Sequence, residues 1–141
     1  MGFESEVREG VSDPAHGPIN ALTEQVIGCA YAVHKTLGPG FLEKVYENAL
    51  RIELQLTGLS VVQQRPLAVR YREQIVGEYF ADLLIEGRLL VEVKAVQNLA
   101  KEHEVQLVHY LTATGIDDGL LINFGAKVEV KRKFRVYQRQ D

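Results

Sequence analysis

A chain of 141 residues, 46% apolar and 25% charged, has the size and make-up of one globular domain with a proper core. No stretch approaches the ~18 consecutive apolar residues of a membrane span, and the acidic start MGFESEVREG lacks the apolar centre of a secretory signal. The single cysteine, Cys29, excludes an internal disulfide and a multi-cysteine zinc cage, and a reducing cytoplasm is the expected setting.

The net charge of −3 sits awkwardly with nucleic-acid binding, which usually leaves a basic footprint. It hides an asymmetry. Up to Glu24, the acids Glu4, Glu6, Glu9, Asp13 and Glu24 face Arg8 alone. From Ala126 on, Lys127, Lys131, Arg132, Lys133, Arg135 and Arg139 face only Glu129 and Asp141. That basic end reads either as a solvated edge strand, whose lysines resist aggregation, or as a patch that tracks a phosphate backbone.

Residues 1–18 mix acids with Gly2, Gly10, Pro14, Gly17 and Pro18 and show no periodicity, so a tail is expected there, followed by one domain over 19–141. Ile19, Leu22, Val26, Cys29, Ala30, Val33 and Leu37 recur at helical spacing and predict a helix from about Asn20 to Leu37, with Cys29 on its apolar stripe. Gly38-Pro39-Gly40 breaks it, and a second helix carrying Leu42, Val45, Tyr46, Ala49 and Leu50 ends near Thr57-Gly58.

The period then changes to that of strands. Ser60 to Arg72 forms the first, with a bulge expected at Pro66. The stretch from Gly77 to Val96, GEYFADLLIEGRLLVEVKAV, reads as two strands around a turn at Glu86-Gly87-Arg88. Lys101 to Thr114 returns to helical spacing, with Val105, Val108 and Leu111 on the more buried side, and closes at Gly115. Leu120 to Phe124 has the continuous apolar character of an interior strand, and Val128 to Tyr137 alternates like an edge strand. The order is α-α-β-β-β-α-β-β, without a repeat or a second domain.

Asp82, Glu92 and Lys94 interrupt the apolar hairpin. Glu92 and Lys94, two apart on a strand, project on the same side. With a three-residue turn, Ile85 lies opposite Leu89 and Asp82 opposite Glu92, which puts the two carboxylates within roughly 5 Å at Cβ. Acids that close repel, and a divalent cation between them would remove the objection. A structural salt bridge between Glu92 and Lys94 is the plain alternative, although burying charges in so apolar a strand costs several kcal/mol per ion unless they are paired or bind a metal.

Gln106 and Tyr110 stack four apart on the following helix, either as donors to phosphate or as a polar boundary pair. Glu43 and Tyr46 share a face after the Gly-Pro-Gly break, where a first-turn carboxylate also suits the helix dipole. His16, His34, His103 and His109 show no metal spacing. His34 alone is near enough to a chain reversal to fold back toward Glu43. No glycine-rich phosphate loop is present, since Gly38-Pro39-Gly40 follows a helix and lacks the GxxxxGK[ST] lysine.

Gly40-Phe41-Leu42-Glu43-Lys44-Val45-Tyr46 resembles the signature of the small bacterial GxxExxY proteins, and the region from about Leu22 to Phe134 is similar to that family, within the PD-(D/E)xK nuclease-like superfamily. The resemblance implies an α/β (α+β) fold: a restriction-endonuclease-like αβββαβ core with an extra leading helix and a C-terminal edge strand. It matches Asp82 to the metal-binding aspartate, Glu92 and Lys94 to the (D/E)xK pair, and Gln106 and Tyr110 to the QxxxY motif of the RecB-like exonuclease branch. Glu43 matches the acid that the leading helix contributes in that branch. Ala81 departs from the pattern, standing where the name-giving proline would be.

The implied activity is metal-dependent hydrolysis of DNA, or less readily RNA, with Mg²⁺ or Mn²⁺ held by Asp82, Glu92, the Val93 carbonyl and, across the cleft, Glu43. Lys94 would position the attacking water. The competing reading is a catalytically silent nuclease-fold module that binds nucleic acid or a protein, which the overall negative charge favours. A homodimer is compatible with a small domain carrying a long hairpin.

Overall fold

The structure, a computed structural model, describes residues 17–136. Helices α1 (Gly17–Leu37) and α2 (Glu43–Leu56) precede strands β1 (Val61–Tyr71), β2 (Gln74–Ile85) and β3 (Leu89–Lys94). Helix α3 (Lys101–Thr114) then leads to β4 (Asp118–Phe124) and β5 (Val128–Phe134). The five strands form one sheet in the order β1-β2-β3-β4-β5, antiparallel except for β3 and β4. Parallel neighbours need a long crossover, and α3 supplies it. This is the expected core with its leading helix and closing edge strand. Because α1 begins at Gly17, the last two residues of the expected tail belong to the helix; the rest of that tail and Tyr137 lie outside the described residues.

Side-chain alternation along the central strands feeds two cores. Leu89, Val91 and Val93 of β3 join Val26, Ala30, Tyr46, Leu50 and Leu54 under α1 and α2. Leu90 turns the other way, to Leu107, Tyr110 and Leu111 of α3. Every residue of β4 is buried, as a strand covered on both faces requires. An added Cβ on Gly119 would lie 3.0 Å from Leu107 Cδ1, so α3 seats directly on the β4 backbone.

Three expectations change. In α3 the buried stripe is Leu107, Tyr110 and Leu111, while Val105 is 43% exposed. The helix rolls so that Tyr110, bulky enough to fill the space beside β2, takes the inward position. In β1 the register slips between Val69 and Arg70 and not at Pro66, which pairs regularly with Phe80. β1 is an edge strand, where a missing N–H is tolerated. The basic β5 is partly neutralised within the fold. Arg132 lies 3.6 Å from Asp118, Lys133 3.0 Å from Glu104, and Arg135 2.8 Å from Asp117.

Candidate functional site

The hairpin turn is as expected, with Ile85 opposite Leu89, but the β2–β3 ladder stops at Leu83 and Val91. Beyond it the strands peel apart. Side chains replace the main-chain ladder at that point: the Asp82 N–H donates to Glu92 Oε2 and the Val93 N–H to Asp82 Oδ2, both at 2.8 Å. Each carboxylate thus caps the other strand. β1 and β2 also turn over here. Val61 of β1 and Leu83 of β2 face the α1–α2 core, whereas Leu67 and Ala81, an even number of residues away, face α3. The inversion falls at Gln64, whose φ of 55° is left-handed, and at Asp82 beside it. A non-glycine residue there is strained by about 1–2 kcal/mol, and its side chain shows what holds it.

The Gln64 amide donates to Asp82 Oδ1 at 3.2 Å and to Glu47 Oε2 at 2.9 Å. Glu47 also accepts from Gln63 at 2.7 Å and from Lys44 at 3.1 Å, and is only 1% exposed. It is the site residue the sequence reading missed. On α2 it lies one turn after Glu43, and the charges of both acids bear on Asp82. Its signal was weak: a glutamate on an amphipathic helix reads as solvent-facing unless its partners are known.

Asp82 and Glu92 are 9% and 4% exposed. Burial is the main cause that pushes the Asp82 carboxyl up to about 6; Glu47 and Glu43 add to it, while the hydrogen bonds from Val93 and Gln64 oppose it. Burial and then Asp82 itself push Glu92 up to about 8, against the Asp82 N–H and Lys94. The two titrate as a pair. Lys94, on the same strand face as Glu92, acts without a direct ion pair among the described residues and stays partly exposed. On the far side of β3, Asn123 holds the strand's exit by bonding both the N–H and the carbonyl of Val96 at 2.9 Å.

From α3, the Gln106 amide donates to the Tyr110 hydroxyl at 3.2 Å, which leaves the phenol proton for another acceptor. Burial, then Glu92, Tyr79 and Asp82, raise the Tyr110 pKa, so α3 does face the carboxylates. Glu43 stands in the first turn of α2, partly buried.

Tyr46 has a different duty from its motif neighbour. It is fully buried, stacked on Phe124 at 4.7 Å, and its hydroxyl donates to the Gly38 carbonyl and accepts from the Phe41 N–H. Gly38 and Gly40, at φ 72° and 107°, make the reversal that this phenol fastens. Tyr46→Phe keeps the stack and loses both bonds; a melting temperature lower by roughly 5 °C is expected, from about 1–2 kcal/mol, with the far-ultraviolet spectrum unchanged. His34 does not fold back to Glu43. It bonds the Gly125 carbonyl at 2.9 Å and stacks on Phe124. His103 caps α3, its Nδ1 accepting the Ala100 N–H at 3.0 Å.

Among the described residues no three His, Cys, Asp or Glu side chains cluster tightly enough to cage an ion alone. A hard cation of the Mg²⁺ type does not need that, since one or two carboxylates plus solvent and main-chain oxygens suffice. Two buried acids, held together with their ionisation suppressed by burial, are a donor set such an ion fits.

A mixed sheet that opens beside an aspartate, with Glu-x-Lys on the next strand, defines the PD-(D/E)XK class. The sequence comparison agrees: residues 20–134 match the model of the PD-(D/E)XK nuclease superfamily, and the chain belongs to it. No curated protein matches the sequence. Among solved structures, the protein titled SSO0001 is similar with a TM-score of 0.55 at 14% identity over 67% of this chain and 50% of that one. An alkaline exonuclease from Laribacter hongkongensis gives a TM-score of 0.50 at 12% identity, over 95% of this chain and 77% of the other. The chain thus spans half the length of SSO0001, and at these identities the likeness is one of fold.

Proposed function

We propose that this protein is a divalent-metal-dependent nuclease that hydrolyses phosphodiester bonds of DNA. The observation that carries the reading is the opening between β2 and β3, where two buried carboxylates meet with Lys94 on the same strand face. Asp82 and Glu92, with the Val93 carbonyl and with Glu43 across the opening, would hold Mg²⁺ or Mn²⁺. When bound, the ion supplies Lewis acidity and neutralises charge on the scissile phosphate. Lys94, a mobile point charge at the edge of the opening, orients the attacking water and stabilises the crowded phosphorus centre. The free Tyr110 proton and the Gln106 amide hold phosphate oxygens, and a raised phenol pKa keeps that proton in place. The Gly40–Tyr46 motif and the Gln106–Tyr110 pair support placement in the GxxExxY group and the RecB-like branch. A single buried cysteine is consistent with the cytoplasm.

The test incubates the protein with single-stranded, duplex and branched DNA, and with RNA, in Mg²⁺ and Mn²⁺. Wild type should cleave at least one DNA substrate, and Lys94→Ala should lose about 100-fold or more in rate with an unchanged melting temperature. Equal inertness of the two proteins on every substrate sinks the catalytic reading and leaves a silent nuclease-fold module; the fold would stand.

A further inference from the structure

Past Asp82, β1 and β2 run on together as an arm, Arg65 to Phe80, with exposed Tyr71, Ile75, Val76, Tyr79 and Phe80. Because β2 has left β3, a groove of about 1140 Å³ opens between this arm and α3. Arg70 and Tyr79 line it from the arm, Gln106, His109 and Tyr110 from the helix, and Lys94 from β3. Tyr79 is 45% exposed, and its ring lies 5.7 Å from the Tyr110 ring. The groove therefore reaches Lys94 and Tyr110 of the candidate site and carries a partly exposed aromatic residue on the way.

Charge decides between occupants. A protein that grips duplex DNA draws its affinity from neutralising many phosphates on two strands. Here the net charge is −3, and Arg132, Lys133 and Arg135 of the basic C-terminal stretch are matched to Asp118, Glu104 and Asp117. The lysine and arginine lining the groove are Arg70 and Lys94, against Glu102. Two cations beside an open ring suit a single strand, whose unpaired bases can stack on aromatic side chains, better than the two backbones of a duplex.

We propose that the groove takes single-stranded DNA, with a base stacked on Tyr79 and phosphates at Arg70 and Lys94, and delivers that strand to the Asp82–Glu92 opening. This deepens the nuclease reading and rests on it for the purpose of the groove, though strand binding is measurable without catalysis.

Fluorescence anisotropy with the full chain in EDTA, using labelled 12-nucleotide oligo(dT), a 12-base-pair duplex and oligo(rU), tests it. Glu92→Gln is run beside wild type, so that the metal-free acids do not mask binding. Oligo(dT) should bind at least tenfold tighter than duplex, with a slope of log affinity against log salt of about −1.4, as two phosphate contacts give. Tyr79→Ala should weaken binding about tenfold and Tyr79→Phe should restore it, while Arg70→Ala should make the slope shallower by about 0.7. Equal or tighter binding of duplex, no binding by either protein, or indifference to Tyr79→Ala overturns the proposal; a preference for oligo(rU) overturns its assignment to DNA. Binding without cleavage in Mn²⁺ would cost the nuclease reading alone. Cleavage confined to duplex would cost this inference alone.

Discussion

Glu92→Gln is expected to make the metal-free protein more stable at about pH 8.5 while abolishing its response to Mn²⁺. Folding raises the pKa of Glu92 to about 8 and that of Asp82 to about 6, mainly by burial. Groups that hold protons more tightly when folded stabilise the protein below their unfolded pKa values, near 4, and lose that contribution as pH climbs through the folded ones. The metal-free wild type should therefore lose stability between about pH 4 and pH 8, on the order of several kcal/mol for the pair. A glutamine keeps an oxygen for the Asp82 N–H and carries no charge. Its melting temperature at pH 8.5 should exceed that of wild type by at least roughly 5 °C, with a flatter pH profile. Conversely, Mn²⁺ at 100 times its dissociation constant should stabilise wild type by about 2.7 kcal/mol and leave Glu92→Gln unmoved. A thermal-shift series over pH, with and without Mn²⁺, reads both halves. A variant less stable than wild type at pH 8.5 would show that the acids are not held under mutual strain.

Glu47→Ala should cost about 3 kcal/mol and lower the melting temperature by roughly 10 °C. Glu47 accepts from Lys44, Gln63 and Gln64, and its removal takes one acceptor from each of the half-buried Gln63 and Gln64 amides, while the exposed Lys44 ammonium turns to solvent. The left-handed Gln64 backbone then loses one of the two bonds that hold its side chain, the other being to Asp82. A double-mutant cycle with Gln64→Ala should give a coupling of at least about 0.5 kcal/mol, as expected for residues within one network. Additive effects would mean that Glu47 and Gln64 act separately and that α2 does not brace the opening.

The hairpin was legible because charge in an apolar strand is conspicuous: Asp82, Glu92 and Lys94 stand out against leucines and valines, and strand alternation alone puts the last two on one face. The helices were legible by period and by their glycine ends. What escaped was whatever depends on a partner far along the chain. Glu47 is a site residue only because Gln63 and Gln64, some sixteen residues on, turn toward it. Gln64 sits in a strand whose pattern gives no warning of a left-handed backbone. Tyr46, beside Glu43 in one motif, faces inward to the Gly38 loop, and spacing cannot tell a phenol that meets substrate from one that meets a carbonyl. The charge count at the C-terminal end could not see Asp117, Asp118 and Glu104 across the fold.

A main-chain ladder is indifferent to acidity and to ions, but the seam at Asp82 and Glu92 is stitched by groups that respond to both. Whatever draws those carboxylates elsewhere also loosens the stitch, so an ion held there would free the β1–β2 arm as it binds. Amide exchange at Asp82 and Val93 should then quicken when the ion arrives, in a protein that as a whole has become harder to melt.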